Sequence, residues 1–155
     1  MANLEIGDKA PAFKALDQDG NKVGLADFKG KKFILYFYPA ASSPGCTKEA
    51  WDFNGSLKEF RNAGYEVVGI SPDSVAKIQK FHTNQKLKFP LLSDEGLEVH
   101  KAYGAYGTKK LYGREYVGVI RSTFVIDEKG KIELPLYNVK ATGHVNSLKG
   151  KLGIS

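Results

Sequence analysis

The longest apolar run of the chain reads Phe33-Ile34-Leu35-Tyr36-Phe37-Tyr38, with no polar residue at alternate positions. Strands that are covered on both faces have this pattern, so the run predicts the central strand of a sheet. Pro39 ends the strand, and small residues with a second proline lead through Gly45, which predicts a loop. Apolar residues then recur at spacings of three and four, which predicts a helix over residues 47–63.

The segments around this strand predict a thioredoxin-like α/β fold, with a mixed central sheet flanked by helices and an N-terminal β-hairpin. Residues 65–70 read as a second strand, and residues 75 to about 86 read as a helix that follows it. Two strands with a helix between them form a parallel βαβ unit. The other predicted elements are a hairpin of residues 13–16 and 22–25 ahead of the main fold, a short strand at 89–92, a helix at 97–103, a closing hairpin of 122–126 and 131–134, and a final helix at 144–152.

The composition is that of one compact domain spanning residues 1–155. The chain is 42% hydrophobic and 26% charged, which is enough apolar content for a core at this length. Its first residues lack the pattern of a signal peptide, and its longest apolar run is too short to cross a bilayer. We therefore expect a cytoplasmic protein.

The chain carries 23 Lys and Arg against 17 Asp and Glu, a net charge of +6. The charges are spread along the sequence, which favours a solvated basic surface over a nucleic-acid site. The best nucleic-acid candidate is residues 103–116, where Lys109, Lys110 and Arg114 alternate with tyrosines. The glycines of this segment predict a loop.

Cys46 is the only cysteine of the chain. A single cysteine excludes an internal disulfide, a dithiol redox pair and a multi-cysteine metal site, and it fits a reducing compartment. Free cysteines are often inert core residues. Here the thiol follows a loop and falls in the first turn of the predicted helix, where the helix dipole favours an anion. Ser43 lies three residues earlier and can place a hydroxyl near the sulfur.

The segment 36–53 resembles the active-site motif of peroxiredoxins, and in particular of the bacterioferritin-comigratory-protein or peroxiredoxin Q subfamily. The resemblance rests on Tyr36-Phe37-Tyr38-Pro39, on Ser43-Pro44-Gly45-Cys46-Thr47 and on Glu49-Ala50. Arg121-Ser122-Thr123-Phe124-Val125-Ile126-Asp127 is similar to the second motif of that family, and Gly143-His144 to its C-terminal element.

The resemblance implies that Cys46 is the peroxidatic cysteine, whose thiolate attacks a peroxide and becomes a sulfenic acid. Arg121 would stabilise the thiolate. The same arginine, the Ser43 hydroxyl and the Cys46 N–H would hold the peroxide in line, and Pro39 would shield the pocket from water. No cofactor and no metal are expected, since the three histidines are dispersed in the sequence.

Two departures from the family pattern matter. Ser43 stands where threonine is usual, which removes a methyl group but keeps the hydroxyl. Trp51 and residues 81–83 occupy the places where relatives carry a resolving cysteine. The resemblance therefore implies a one-cysteine variant, reduced by a small thiol, a thioredoxin, a glutaredoxin or another subunit's Cys46. Trp51 is expected to pack against the sheet and hold the helix closed.

The leading hypothesis is a thiol-dependent peroxidase that reduces hydrogen peroxide and small organic hydroperoxides, as a monomer or weak dimer. A peroxide sensor or holdase that signals through oxidised Cys46 is the alternative, and nucleic-acid protection through the basic surface is a third. The remaining polar candidates are interpreted as structural. His82, His100 and His144 read as surface or packing residues, and Asp94-Glu95 and Asp127-Glu128 read as solvated turns.

Overall fold

The computed structural model describes residues 3–111 and 113–154, in which nine strands form one seven-stranded mixed sheet and one two-stranded ribbon. The strands are β1 (Lys14–Asp17), β2 (Lys22–Gly24), β3 (Lys32–Phe37), β4 (Tyr65–Ser71), β5 (Leu91–Ser93), β6 (Tyr106–Leu111), β7 (Arg114–Val119), β8 (Ser122–Ile126) and β9 (Ile132–Leu136). The helices are α1 (Pro44–Gly55), α2 (Leu57–Asn62), α3 (Val75–Asn84), α4 (Glu98–Ala102) and α5 (His144–Lys151), with a short 3₁₀ helix at Leu25–Phe28.

The strand order of the sheet is β2-β1-β5-β4-β3-β8-β9, which places β3 inside the sheet as the sequence predicts. Strand β3 runs parallel to β4 and antiparallel to β8, and β5 runs parallel to β4. The connections from β3 to β4 and from β4 to β5 both advance in the same direction across the sheet. Right-handed crossovers must then carry their helices over the same face.

Alternate side chains of β3 supply two separate hydrophobic clusters. Ile34 and Tyr36 point into a cluster that contains Cys46 and buried residues of α1, α2, α3 and α5. Phe33, Leu35 and Phe37 point into the opposite cluster, which is closed by the segment around α4 and by the N-terminal residues. Because both faces of β3 are covered, its sequence lacks polar alternation. The thioredoxin-like α/β fold is confirmed.

The helix expected over residues 47–63 is wrong in its bounds, because the structure has two helices there. Helix α1 begins at Pro44, earlier than expected, and ends at Gly55; α2 begins at Leu57. Ser56 separates them, and its N–H donates to the carbonyls of Asp52 and Phe53. Glycine weakens a helix by about 1 kcal/mol relative to alanine, so the interruption falls where the helix propensity is lowest.

The loop expected over residues 103–116 is also wrong. Strands β6 and β7 form a two-stranded antiparallel ribbon, with Leu111 opposite Arg114. The threonine, valine and tyrosine residues of this segment favour strands, and that preference prevails over its glycines. Gly104 and Gly113 have φ values of +74° and +77° and lie at turns that flank or join the strands, and Gly107 is tolerated within β6. Tyr112 lies outside the described residues.

The N-terminal hairpin is part of the main sheet rather than a separate element. Strand β1 pairs with β2 and also, antiparallel, with β5, where Leu16 faces Ser93. The closing hairpin of β8 and β9 turns through Gly130, whose φ is +77° as that turn requires. Among the described residues, no helix has the length and apolar character needed to cross a membrane.

Candidate active site

The first turn of α1 positions Cys46 as the third residue of the helix. Ser43 is the N-cap, with extended backbone angles, and its side chain accepts a hydrogen bond from the Cys46 N–H at 3.4 Å. Pro44 occupies the first helical position, where its missing N–H costs nothing. The expected place of the thiol at a helix start is therefore confirmed. Cys46 is 1% exposed.

Arg121 meets this helix from the sheet. It lies directly before β8, the antiparallel neighbour of β3, and its carbonyl accepts from the Val139 N–H at 2.9 Å. Its Nη2 donates to the Cys46 Sγ at 3.3 Å. Residues 75 positions apart thus come together because the β3 loop and the start of β8 lie at one end of the sheet. The structure brings Arg121 and Cys46 together as the sequence analysis expects.

Glu49 is a site residue to which sequence reasoning gave no role. Its side chain is fully buried, and its Oε1 accepts from the Arg121 Nη1 at 2.6 Å. Burial raises the pKa of Glu49 to about 7, although Arg121 opposes that rise. The signal was its spacing: a residue three positions after Cys46 lies on the same face of a helix.

The guanidinium of Arg121 therefore donates to two groups at once, the thiol through Nη2 and the carboxylate through Nη1. Burial opposes its charge, but Glu49 and Cys46 outweigh burial and raise the pKa of Arg121 above its ordinary value. Because the fork of a guanidinium is planar and rigid, fixing one nitrogen also fixes the other. Glu49 consequently holds Arg121 against Cys46.

Replacing Glu49 with glutamine will change how stability depends on pH. The folded chain holds the Glu49 proton more tightly than the unfolded chain, whose carboxyl has a pKa of 4.5. Ionisation of Glu49 therefore destabilises the folded state as the pH rises from 4.5 to about 7. We therefore compare the free energy of unfolding of the parent with that of Glu49→Gln. The difference, parent minus variant, should fall as the pH rises from 4.5 to about 7.

Urea denaturation of both proteins at several pH values measures that difference. Contributions of the titratable groups distant from Glu49 cancel, because the two proteins share them. A difference that rises with pH would contradict the expectation, and it would mean that the ion pair with Arg121 outweighs the burial of Glu49.

The Ser43 hydroxyl has a second partner, since it donates to the carbonyl of Ala40 at 3.0 Å. Its oxygen is therefore left as an acceptor, and the Cys46 N–H is one group it already accepts from. Pro39 lies half-buried directly after β3 and Tyr38. The loop that follows is held in place by the Asp73 carboxylate, which accepts from the Ala41 N–H at 2.6 Å.

His144 lies close to the site as a neutral, packed residue. Its Nε2 is 2.8 Å from the Thr123 hydroxyl, and its ring edge packs against Phe53. Burial and the charge of Arg121 together lower the pKa of His144 to about 4, so the ring carries no charge near neutral pH. Within the described residues, no three His, Cys, Asp or Glu side chains are grouped to hold a metal ion.

Two expectations about single residues are wrong. Trp51 does not pack against the sheet: its side chain is 57% exposed, and its Nε1–H donates to the Gln85 Oε1 at 2.6 Å. Asp94 is not a solvated turn residue, because it is buried and 2.6 Å from the Nδ1 of buried His100. Asp94 also accepts from two backbone N–H groups that open α4. Burial raises the pKa of Asp94, but the hydrogen bond with the His100 side chain and these two backbone N–H groups outweigh burial and lower it.

Residues 6–134 match the AhpC/TSA family. A Mycobacterium tuberculosis protein assigned to the peroxiredoxins is 59% identical over 151 residues, covering 97% of this chain and 96% of that protein. Peroxiredoxin Bcp of Escherichia coli K12 is 42% identical over 144 residues, covering 93% and 92%. The bacterioferritin comigratory protein of Xanthomonas campestris, whose alkyl peroxide reduction activity is the subject of trapped intermediate and ligand complex structures, superposes with a TM-score of 0.86. It is 32% identical, over 99% of this chain and 98% of that chain.

Proposed function

The chain belongs to the AhpC/TSA family, and from that premise we propose that it reduces hydrogen peroxide and small organic hydroperoxides through a sulfenic acid on Cys46. It is a peroxiredoxin whose single cysteine fits a one-cysteine mechanism. The observation that carries the assignment of the site is the 3.3 Å contact between the Arg121 Nη2 and the Cys46 Sγ at the start of α1.

In the proposed reaction, the Cys46 thiolate attacks one oxygen of the peroxide. A sulfur–oxygen bond forms, the oxygen–oxygen bond breaks, and the electron pair leaves with the second oxygen, which takes up a proton to become water or an alcohol. Negative charge moves from the sulfur to the leaving oxygen. Arg121 can stabilise both ends, because its N–H groups are already fixed beside the sulfur.

Ser43 serves this reaction as an acceptor. Its proton is committed to the Ala40 carbonyl, so its oxygen can receive the hydroxyl hydrogen of a peroxide. The Cys46 N–H, which donates to this same oxygen across 3.4 Å, lies beside it and would be shared with a bound peroxide. A peroxide held between an acceptor and two donors has one orientation, and positioning of this kind is the main source of rate for a simple displacement. Half-buried Pro39 limits access of water at the end of β3.

Reduction of the sulfenic acid needs an external thiol, because the sequence holds no second cysteine. We propose a dithiol protein such as a thioredoxin or a glutaredoxin as the donor. The lone free thiol of the chain is consistent with a reducing, cytoplasmic setting. The whole chain would act as one domain, because a single sheet supports both Cys46 and Arg121.

Mass spectrometry after addition of one equivalent of peroxide tests the proposal. We expect one added oxygen on Cys46, trapped with a sulfenic acid reagent, and its removal by dithiothreitol with return of the free thiol. Continuous peroxide consumption should follow with excess dithiothreitol. An unoxidised Cys46 would contradict the proposal. A single oxidation without turnover would instead support a sensor.

A further inference from the structure

We propose that an exposed surface centred on Trp51 is the docking site for the dithiol protein that reduces Cys46. The Trp51 surface consists of Trp51, Lys48, Asn146, Lys140 and Lys151. This inference rests on the proposed function, since it concerns the partner of the same cysteine. It adds the location of the partner and the chemistry of the partner's surface.

Trp51 is exposed although it is large and apolar. Four large hydrophobic side chains are exposed among the described residues, and Trp51 is the one that α1 carries; the others are Ile6, Leu16 and Val117. The 2.6 Å hydrogen bond from its Nε1 to Gln85 fixes the direction of the ring. Rigid, exposed tryptophans are the residues that most often anchor protein interfaces, because little entropy is lost when they are covered.

The position of Trp51 relative to Cys46 fits a docking role. Trp51 lies five residues after Cys46 in α1, which corresponds to a rise of about 7.5 Å along the helix axis. Because a helix is about 10 Å wide, the ring lies within roughly 13 Å of the end of the helix that carries the thiol. A standard interface covers about 800 Å² on each partner, a disc of roughly 16 Å radius. A protein that brings its own sulfur to Cys46 from the α1 side therefore covers Trp51 as well.

The half of α1 that carries Trp51 is held by side-chain hydrogen bonds to residues 85–88, whereas the half that carries Cys46 is held through Arg121 alone among the side-chain contacts with the sheet described above. Beyond the Trp51 contact, the Asn54 side chain accepts from the Lys88 N–H at 2.9 Å and donates to the Lys86 carbonyl at 3.3 Å. A donor thiol can reach buried Cys46 only if the first turn of α1 opens. Trp51 thus stays in place while that turn moves.

The surface is also shaped and charged for a partner. A hollow of about 340 Å³ lies between α1 and α5, beside Trp51, and Lys48 and Asn146 line it. A second hollow shares Gly143 with the first and is lined by Lys140 and Lys151. The charged side chains that line the two hollows are Lys48, Lys140, Lys151 and Asp52. Lys48 pairs with Asp52, which leaves the charges of Lys140 and Lys151 in excess. The excess positive charge favours a donor with an acidic rim around its reactive cysteine.

The donor's chemistry follows from the sulfenic acid. One donor thiolate attacks the Cys46 sulfur, a disulfide forms between the proteins, and the sulfenic oxygen leaves as hydroxide and is protonated to water. The donor's second thiolate then attacks the donor sulfur that is bonded to Cys46. A disulfide forms within the donor, and the Cys46 thiolate is released. Two donor thiols are oxidised to a disulfide, and the sulfenic acid is reduced to a thiol. A docked complex must last through both steps.

Steady-state assays of Trp51→Ala test the proposal. Peroxide consumption is measured with thioredoxin recycled by its reductase and NADPH, and again with dithiothreitol, which needs no docking surface. We expect the ratio of the thioredoxin rate to the dithiothreitol rate, at limiting thioredoxin, to fall about fivefold or more in Trp51→Ala. The same fall is expected in the double variant Lys140→Glu with Lys151→Glu.

Two controls separate docking from local structure. Val117→Ala removes another exposed apolar side chain, on the β6–β7 ribbon, and should leave the ratio within twofold of the parent. Gln85→Ala removes the hydrogen bond to Trp51 but keeps the ring, so its ratio should fall less than that of Trp51→Ala.

A ratio within twofold of the parent in Trp51→Ala overturns the docking proposal and leaves the peroxidase intact. So does a parent protein that turns over with dithiothreitol but with neither thioredoxin nor glutaredoxin. Failure of the parent to consume peroxide even with dithiothreitol overturns the proposed function itself.

Discussion

Replacing Cys46 with serine will lower the rate of peroxide consumption with dithiothreitol by at least about a thousandfold, because a serine hydroxyl stays protonated and is a far weaker nucleophile than a thiolate. Serine is close to cysteine in size, so the packed first turn of α1 should survive the change. Cys46 is buried among α1 residues and the sheet, and an oxygen there can still accept from the Arg121 Nη2.

The measurement is the initial rate of peroxide loss, with the thermal unfolding midpoint recorded for both proteins. An inactive but equally stable Cys46→Ser protein would assign the loss to chemistry. Equal rates in the two proteins would contradict the proposed reaction, because Cys46 is the only cysteine in the sequence.

Replacing Arg121 with alanine will lower kcat/KM for peroxide by about a hundredfold to a thousandfold, the usual effect of removing a fixed donor from a site where charge develops. The same change removes the charged partner of buried Glu49. An unpaired buried carboxylate is destabilising by about 3 kcal/mol, and Glu49 will avoid part of that cost by taking up a proton. Arg121→Ala should therefore be both slower and less stable.

A second variant separates these two effects. In Arg121→Ala combined with Glu49→Gln, no charge is left buried, so the free energy of unfolding should recover while kcat/KM stays low. Arg121→Lys keeps the charge but loses the rigid fork that serves the thiol and the carboxylate together, and it should be intermediate in rate. Recovery of activity together with stability in the double variant would show that Arg121 acts only through folding.

The sequence predicts the centre of the fold well because that part is specified locally. The unbroken apolar run of β3 requires cover on both faces, and the structure places two hydrophobic clusters there. The β6–β7 ribbon escapes prediction because glycines and strand-favouring residues are mixed in it, and the balance between them is decided by pairing. Ser56 likewise interrupts a helix whose apolar spacing continues through it.

The features of the site also fall into two groups, those set by neighbours in the chain and those set by long-range contacts. The place of Cys46 at a helix start follows from neighbours in the chain, whereas the N-cap role of Ser43 came only with the structure, because the helix was expected to begin three residues later than it does. The contact of Arg121 with Cys46 depends on β8 lying beside β3, a long-range pairing that only the family resemblance anticipated. Asp94 was misjudged, and Glu49 was given no role, because an acidic residue is ordinarily exposed and its burial depends on partners that other elements supply.

The burial of Cys46, which leaves the residue 1% exposed, bears on the lifetime of its sulfenic acid. A resolving thiol within the same chain would act at an effective concentration of about a millimolar, whereas a diffusing donor acts only at its actual concentration. The lifetime of the sulfenic acid is therefore longer than in a protein with its own resolving thiol, by the ratio of these two concentrations. During that interval the closed first turn of α1 limits encounters between the sulfenic acid and a second peroxide molecule. On the proposed function, the supply of the external donor, rather than the speed of the chemical step, would then set the rate of turnover.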